Sequence, residues 1–357
     1  MIKFSPGCLP AAVGSLPHLN PQDGVDLILK HLPEIPLWPQ FPNCSYLESM
    51  YIQFSEGIPF VLLDPVKERM HMDLAVDIYG ELERFYTRVL EDDLDYFAIH
   101  ADYARGLEAF IDRLWRRKPE SLKWVKGQIT GPISFGLMIT DQQKRAILYN
   151  EEVFDAVLKS LVMKTRWQIR QLQRVWPNVI IFVDEPYLSS FGSAFINLTR
   201  EQVLQYLGEV FEAVHQEGAL AGVHCCGNTD WSILMETEVD IINFDAYEYF
   251  QGMTLYIDEL KNFLKRGGVL AWGIVPTSQQ IEKENSQSLH TNFTSKVDDL
   301  INRGIARKLL LAQCLITPSC GMGTMKIHQA ERVLTLLSEV SELARSQMIR
   351  QKRKKAV

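Results

Sequence analysis

Apolar residues along the chain gather into short continuous runs separated by longer amphipathic stretches. The runs cover 11–15 (AAVGS), 35–40 (IPLWPQ), 122–132 (LKWVKGQITGP), 179–186 (VIIFVDEP), 219–227 (ALAGVHCCG), 239–247 (VDIINFDAY), 268–276 (GVLAWGIVP) and 308–321 (KLLLAQCLITPSCG). Most are unbroken rather than alternating, which suits strands covered on both faces of a parallel sheet. Between them, 150–176 places apolar residues at 153, 154, 157, 158, 161, 162 and 163, close to helical spacing. The stretch 198–218 opens with Thr199 and ends at Gly218, a cap at each end of a helix. Eight candidate strands, mostly separated by helices and without an internal Pro/Gly/Ser-rich break, make a single (β/α)8 barrel the simplest architecture. A doubly wound sheet would show the same alternation.

Residues 41–121 are too long for a simple strand-to-helix connection and read as an insertion after strand two. Within it, 58–74 reads as a hairpin around Asp64-Pro65 and 91–115 as mostly helical. The expected organisation is one catalytic barrel over 1–345, interrupted at about 41–121, with a basic tail over 346–357.

Composition narrows the function classes. The chain has 357 residues, 46% hydrophobic and 23% charged, ordinary for a globular protein with a sizeable core. A net charge of −7 argues against a nucleic-acid-binding surface, and the one basic cluster, Arg350 to Lys355, reads as a solvated tail. The opening MIKFSPGCLPAAVGS lacks the apolar core of a secretory signal, and no apolar run reaches the ~20 residues of a membrane span. A cytoplasmic protein without membrane partners is expected. The six cysteines, 8, 44, 225, 226, 314 and 320, then point to chemistry or burial rather than to a disulfide framework.

In such barrels chemistry sits on loops at the C-terminal ends of strands. The distinctive residues fall there: Gly14-Ser15, Gln40, Thr130-Gly131-Pro132, Asp184-Glu185-Pro186, His224-Cys225-Cys226, Asp245 and Cys320. In a strand, residues two apart share a face, so His224 and Cys226 point one way and Cys225 the other. Cys320 ends the last candidate strand, and barrel strands far apart in sequence open onto one mouth. Two thiolates and an imidazole make a good zinc site, and three protein ligands with one exchangeable position is the catalytic form. Ordinary burial and hydrogen bonding of the three residues is the competing reading. No C-x-x-C redox pair is present, and a vicinal Cys225–Cys226 disulfide would close a strained ring. A Cys–His hydrolase is disfavoured by having both groups two residues apart on one strand.

The motifs AAVGSLP, KGQITGPISF, FVDEPYLS, VHCCGNTDWSIL, VDIINFDAY and TPSCGMG resemble, in order and spacing, the methionine synthase/uroporphyrinogen decarboxylase superfamily. They are similar to the C-terminal catalytic barrel of cobalamin-independent methionine synthase. The HCCGNT run with ILM after it is closer still to the zinc methyltransferases that move methyl groups from corrinoid proteins to coenzyme M. The resemblance spans most of the chain. It implies a (β/α)8 barrel that methylates a zinc-bound thiolate, with His224, Cys226 and Cys320 as ligands. It also implies Asp245 as a further zinc ligand or as a hydrogen-bond partner of His224, and Val13, Ser15 and Asp184 as substrate-binding residues.

The departures shift the expected substrate. Methionine synthases carry an acid after strand two where WPQFPN offers Gln40, and another where this chain has Ser190. Fewer acids weaken capture of an ammonium group. Their catalytic histidine after strand seven has no counterpart in WGIVPTSQ, so no catalytic residue is assigned. The expectation is a zinc-dependent methyltransferase acting on a small thiol, with a corrinoid protein or methyl-folate as donor, and these departures favour a corrinoid donor or a thiol other than homocysteine. The alternatives are a metal-free relative of uroporphyrinogen decarboxylase, for which strand-end arginines are few, and a non-catalytic zinc-binding barrel.

Overall fold

The computed structural model describes residues 4–194 and 196–355, with side chains through residue 349. Among the described residues nine strands form: β1 (Leu9–Pro10), β2 (Val61–Asp64), β3 (Arg69–Met72), β4 (Val125–Thr130), β5 (Val179–Asp184), β6 (Leu220–Cys225), β7 (Ile241–Phe244), β8 (Val269–Val275) and β9 (Cys314–Pro318). Seven make one curled parallel sheet in the order β1-β9-β8-β7-β6-β5-β4, flanked by helices. β2 and β3 pair antiparallel, a hairpin turning after Asp64 as the sequence predicts.

The second expected strand, 35–40, does not become one. It makes isolated parallel bridges on both sides, Leu37 to Lys126 of β4 and Gln40 to Ser15 beyond β1. Pro36 and Pro39 have no N–H to give to a ladder, which explains the interruption. The amides that remain are used: Trp38 N–H donates to Lys126 O at 3.2 Å and Gln40 N–H to Gly14 O at 3.3 Å. The last expected strand is also shorter than its apolar run. Arg307–Ala312 is helical and β9 starts only at Cys314. Leu, Lys and Ala favour helix, and the β-branched Ile316 and Thr317 come later.

The two faces of the sheet differ. Ile180 and Phe182 of β5, Leu220 of β6, Ile241 of β7, Val269 of β8 and Leu315 of β9 pack together on the inner face. The alternate residues, such as Ile181, Val183, Val223, Cys225 and Phe244, pack outward against the helices in the larger core. Gly222 is glycine for space, since a Cβ there would come within 2.3 Å of the Phe182 ring. Toward the C-terminal ends the inner face turns polar, with Gln128, Thr130, Asp184, His224 and Asn243 all buried.

The long helix Glu151–Gln173 starts at Asn150, whose side chain accepts from Val153 N–H, and Arg200–Gln216 starts in a capping box at Thr199. Gly218, at φ +73°, turns the chain after that helix, a left-handed conformation that favours glycine. The insertion contributes helices Ile78–Leu90 and Arg105–Arg116. Its Leu82, Phe85 and Phe97 pack on Ala156 and Met163 of the long helix. The final helix, Ile327–Lys355, carries the backbone of the basic cluster at 350–355, whose side chains lie outside those described, as do residues 356–357. Among the described residues no helix is long and apolar enough to cross a membrane.

Candidate metal centre

β6 brings His224 to the inner face just before the strand ends, and Cys226 follows at the start of the next loop. Cys225 turns away into the outer core, fully buried, with Sγ 3.6 Å from Gly227 O. Burial pushes its thiol up to about 12, so it is inert packing as the strand alternation predicts. Cys320 arrives two residues past β9. One imidazole nitrogen of His224, Cys226 Sγ and Cys320 Sγ all lie within 4.8 Å of one another, and no other such trio occurs among the described residues.

The imidazole is oriented from behind. His224 Nδ1 lies 2.6 Å from Asn243 Oδ1. The Asn243 amide donates to Ala271 O at 2.9 Å and to Thr317 Oγ1 at 2.7 Å, so its oxygen must face the histidine. This assigns a hydrogen to Nδ1 and turns the buried Nε2 toward the Cys226 sulfur, with which the imidazole interacts. A hydrogen bond from Cys320 and the pull of His224 draw the Cys226 thiol down to about 4, while Cys320 is pushed up by the same bond. The sulfurs therefore share one proton, and a metal would displace it.

A tetrahedral zinc with bonds of roughly 2.0–2.3 Å holds its ligand atoms roughly 3.5 Å apart. The three donors, within 4.8 Å of one another, fit that ion after a small inward movement. His224 Nε2 and the thiolate–thiol pair are the donor chemistry zinc prefers, and three protein ligands leave one position open.

Asp245 is placed differently from its expected role. Its Oδ1 accepts the Glu248 N–H at 2.9 Å, and it lies outside the trio of grouped donor atoms. The partner of His224 is Asn243, which stands beside it in register, whereas Asp245 lies beyond the end of β7. Burial pushes the Asp245 carboxyl up to about 6.

The three expected substrate residues are near the centre, with different freedom. The Val13 carbonyl accepts from Lys126 Nζ. Ser15 Oγ accepts the Gly323 N–H at 3.0 Å and Ser15 O accepts the Met322 N–H at 3.0 Å, so this loop ties down the segment that carries Cys320. Asp184 stands beside His224 in register, and its Oδ1 is buried without a partner. Burial pushes its carboxyl up to about 6, against the pull of His224 and Lys126.

Lys126 was not singled out from the sequence, and Glu185 and Gln40 were noted there without their partners. Lys126 is fully buried on β4, its Nζ 4.3 Å above the Phe182 ring centre, and burial pulls it down to about 7 with Asp184 opposing. A lysine inside an apolar strand was the available signal. Glu185, not Asp184, is the loop-capping carboxylate. It accepts from Ile133 N–H at 3.0 Å, Ser134 N–H at 2.8 Å and Ser134 Oγ at 2.6 Å. A Cβ on Gly131 would come within 2.1 Å of that carboxyl carbon, so the Thr-Gly-Pro and Asp-Glu-Pro motifs interlock. Gln40, at the position where an acid was expected by resemblance, donates to Gln53 Oε1 at 2.8 Å, and Gln53 in turn donates to Tyr103 O at 2.6 Å. The insertion thus closes an amide pair beside Gly14.

No family model matches the chain, and no curated protein matches it. Among solved structures, it is similar to the GH20 catalytic modules of the pneumococcal exo-β-D-N-acetylglucosaminidase. The TM-score is 0.44 at 9% identity, over 94% of this chain and 85% of that one. A likeness of that size carries no argument about activity.

Proposed function

We propose that the protein is a zinc-dependent methyltransferase that methylates a small thiol, on a closed (β/α)8 barrel in which residues 35–40 stand in place of the second strand. The observation that carries the reading is the buried His224 imidazole facing two sulfurs, all three donor atoms within 4.8 Å of one another, at the C-terminal end of the sheet. His224, Cys226 and Cys320 would hold the ion. Zinc bound there would supply Lewis acidity that ionises a thiol entering its open position.

The chain's own groups do the rest. Asn243 holds His224 in the tautomer that presents Nε2. Ser15 fixes the loop that carries Cys320. Asp184, beside the centre with one oxygen free, orients the acceptor. Lys126 beneath it keeps that carboxylate from being an uncompensated buried charge. The methyl donor is a corrinoid protein or a methyl-folate. A site with three protein ligands fits exchange of a thiol better than a structural zinc site, which closes with four.

The test is X-ray absorption at the zinc edge with and without added thiol, together with a donor screen read by product mass. One zinc per chain is expected, with two sulfurs and one nitrogen, gaining a third sulfur on thiol addition. No stoichiometric zinc, or an unchanged coordination shell with every thiol tried, would sink the reading.

A further inference from the structure

Beyond the zinc trio, the inner face holds three more buried polar atoms without partners, on the two strands beside it. Thr130, Asp184 and His224 are lateral neighbours in register across β4, β5 and β6. Thr130 Oγ1 and Asp184 Oδ1 are each buried and unpartnered. Gln128, two residues before Thr130 on the same face, spends its amide N–H on Trp38 O at 3.1 Å, and its Oε1 is left without a partner. Buried polar atoms of this kind are rarely orphaned in native proteins, and a cluster of them beside a metal centre asks for a ligand.

We propose that Gln128 and Thr130 extend the acceptor site along β4 and select a thiol whose far end donates a hydrogen bond. This rests on the zinc–thiol reading above. Neighbouring strands stand about 4.8 Å apart, so the strip from His224 past Asp184 to Thr130 is about 10 Å long, the reach of a compact thiol. With the sulfur at the metal, the tail passes Asp184 and ends at β4. Gln128 Oε1 can only accept, as can the Asp184 carboxylate when ionised, so the tail must donate. A neutral amide or hydroxyl donor satisfies Gln128 Oε1 and Asp184 Oδ1 without burying a further charge. A tail ending in a carboxylate or sulfonate would set lone pairs against Gln128 Oε1 and Asp184, with only the Thr130 hydroxyl able to donate to it. It would leave the buried acceptors unpaired, which is where polar sites discriminate most strongly.

The test uses an isosteric pair, 4-mercaptobutanamide and 4-mercaptobutanoate, titrated calorimetrically into the zinc-loaded full chain. The amide is expected to bind about tenfold tighter or better, as a site built for a donor rejects an analogue lacking it. In Gln128→Leu the preference should shrink to within about threefold, and in Thr130→Val both thiols should bind more weakly, while zinc content stays unchanged. Thr130→Val removes a hydroxyl that has no partner, so the fold should hold even if Gln128→Leu is unstable. Equal or tighter binding of the carboxylate, or unweakened binding of both thiols in Thr130→Val, overturns this inference alone. A protein that holds no zinc overturns the reading beneath it as well.

Discussion

Two pairs of cysteines sit at opposite ends of the same sheet. Cys226 and Cys320 lie past the C-terminal ends of β6 and β9 and meet an imidazole. Cys8 and Cys314 lie at the N-terminal end, where β1 pairs with β9, and both are fully buried. The Cys8 N–H donates to Cys314 O at 2.7 Å, and Cys8 Sγ lies 3.7 Å from Leu311 O and 3.8 Å from Met348 Sδ. Burial pushes the Cys314 thiol well up, where Cys226 is drawn down. The chemical groups are the same at both ends, and the surroundings decide what they do. At one end burial keeps the Cys314 thiol protonated and both cysteines are packed. At the other, a partnered histidine and a hydrogen-bonding thiol hold a thiolate ready.

The comparison breaks most visibly if metal affinity is removed from one end and not the other. Replacing Cys226 or Cys320 with Ser removes one of the three groups proposed to hold zinc. A zinc affinity loss of roughly a thousandfold is expected, a share of the ~10–16 kcal/mol such sites supply. Chelator competition measures it. Cys8→Ala should leave zinc affinity unchanged and cost about 1 kcal/mol of stability through a lost buried atom, read by denaturant unfolding. If zinc leaves with Cys8→Ala as readily as with Cys320→Ser, the two ends are not different in kind.

A smaller effect tests how the reactive end is held. Asn243→Leu removes the acceptor behind His224 Nδ1 and should cost ~10–100-fold in zinc affinity, the usual size for a group that orients a ligand. Asn243→Asp keeps an oxygen for the Nδ1 hydrogen and should recover most of that affinity. It would be less stable, because the bonds to Ala271 O and Thr317 Oγ1 are lost. Equal zinc affinity in all three proteins would show that the imidazole needs no support.

How much of this was legible follows from what a one-dimensional pattern carries. Six of the eight expected parallel strands, the hairpin at Asp64 and the opposite directions of Cys225 and Cys226 are properties of local periodicity, and the structure has them; 11–15 and 35–40 do not form strands. The meeting of Cys320 with His224 needed only the assumption that strand ends share one mouth. What was missed depends on lateral register, which sequence spacing does not contain. Asn243 supports His224 because β6 and β7 align those two residues, while Asp245 overshoots the strand end. Prolines 36 and 39 were visible, but their cost to a ladder outweighed the apolar run around them. Glu185 and Lys126 act through partners 51 or more residues away in the chain, so neither motif revealed its purpose alone.

The smallest effect lies wholly at the packing end and should leave the metal untouched. His215 Nε2 is 2.8 Å from Asp240 Oδ2, which also accepts the Ala221 N–H at the start of β6 at 2.8 Å. That hydrogen bond raises the His215 pKa above its ordinary value. A raised histidine binds its proton more tightly folded than unfolded. Its stabilising contribution is therefore complete below the unfolded value of about 6.5, and is lost as pH rises through the higher folded value. His215→Asn should accordingly be destabilised relative to the native chain at pH 5.5 and close to it at pH 9. The size should be modest because the pair is partly exposed. Denaturant midpoints at the two pH values measure the difference, and zinc affinity at constant pH should be the same in both proteins. A gap that widens toward alkaline pH would mean that Asp240 does not hold the proton on His215. A zinc affinity that moves with His215 would mean that the two ends of the sheet are coupled through β6.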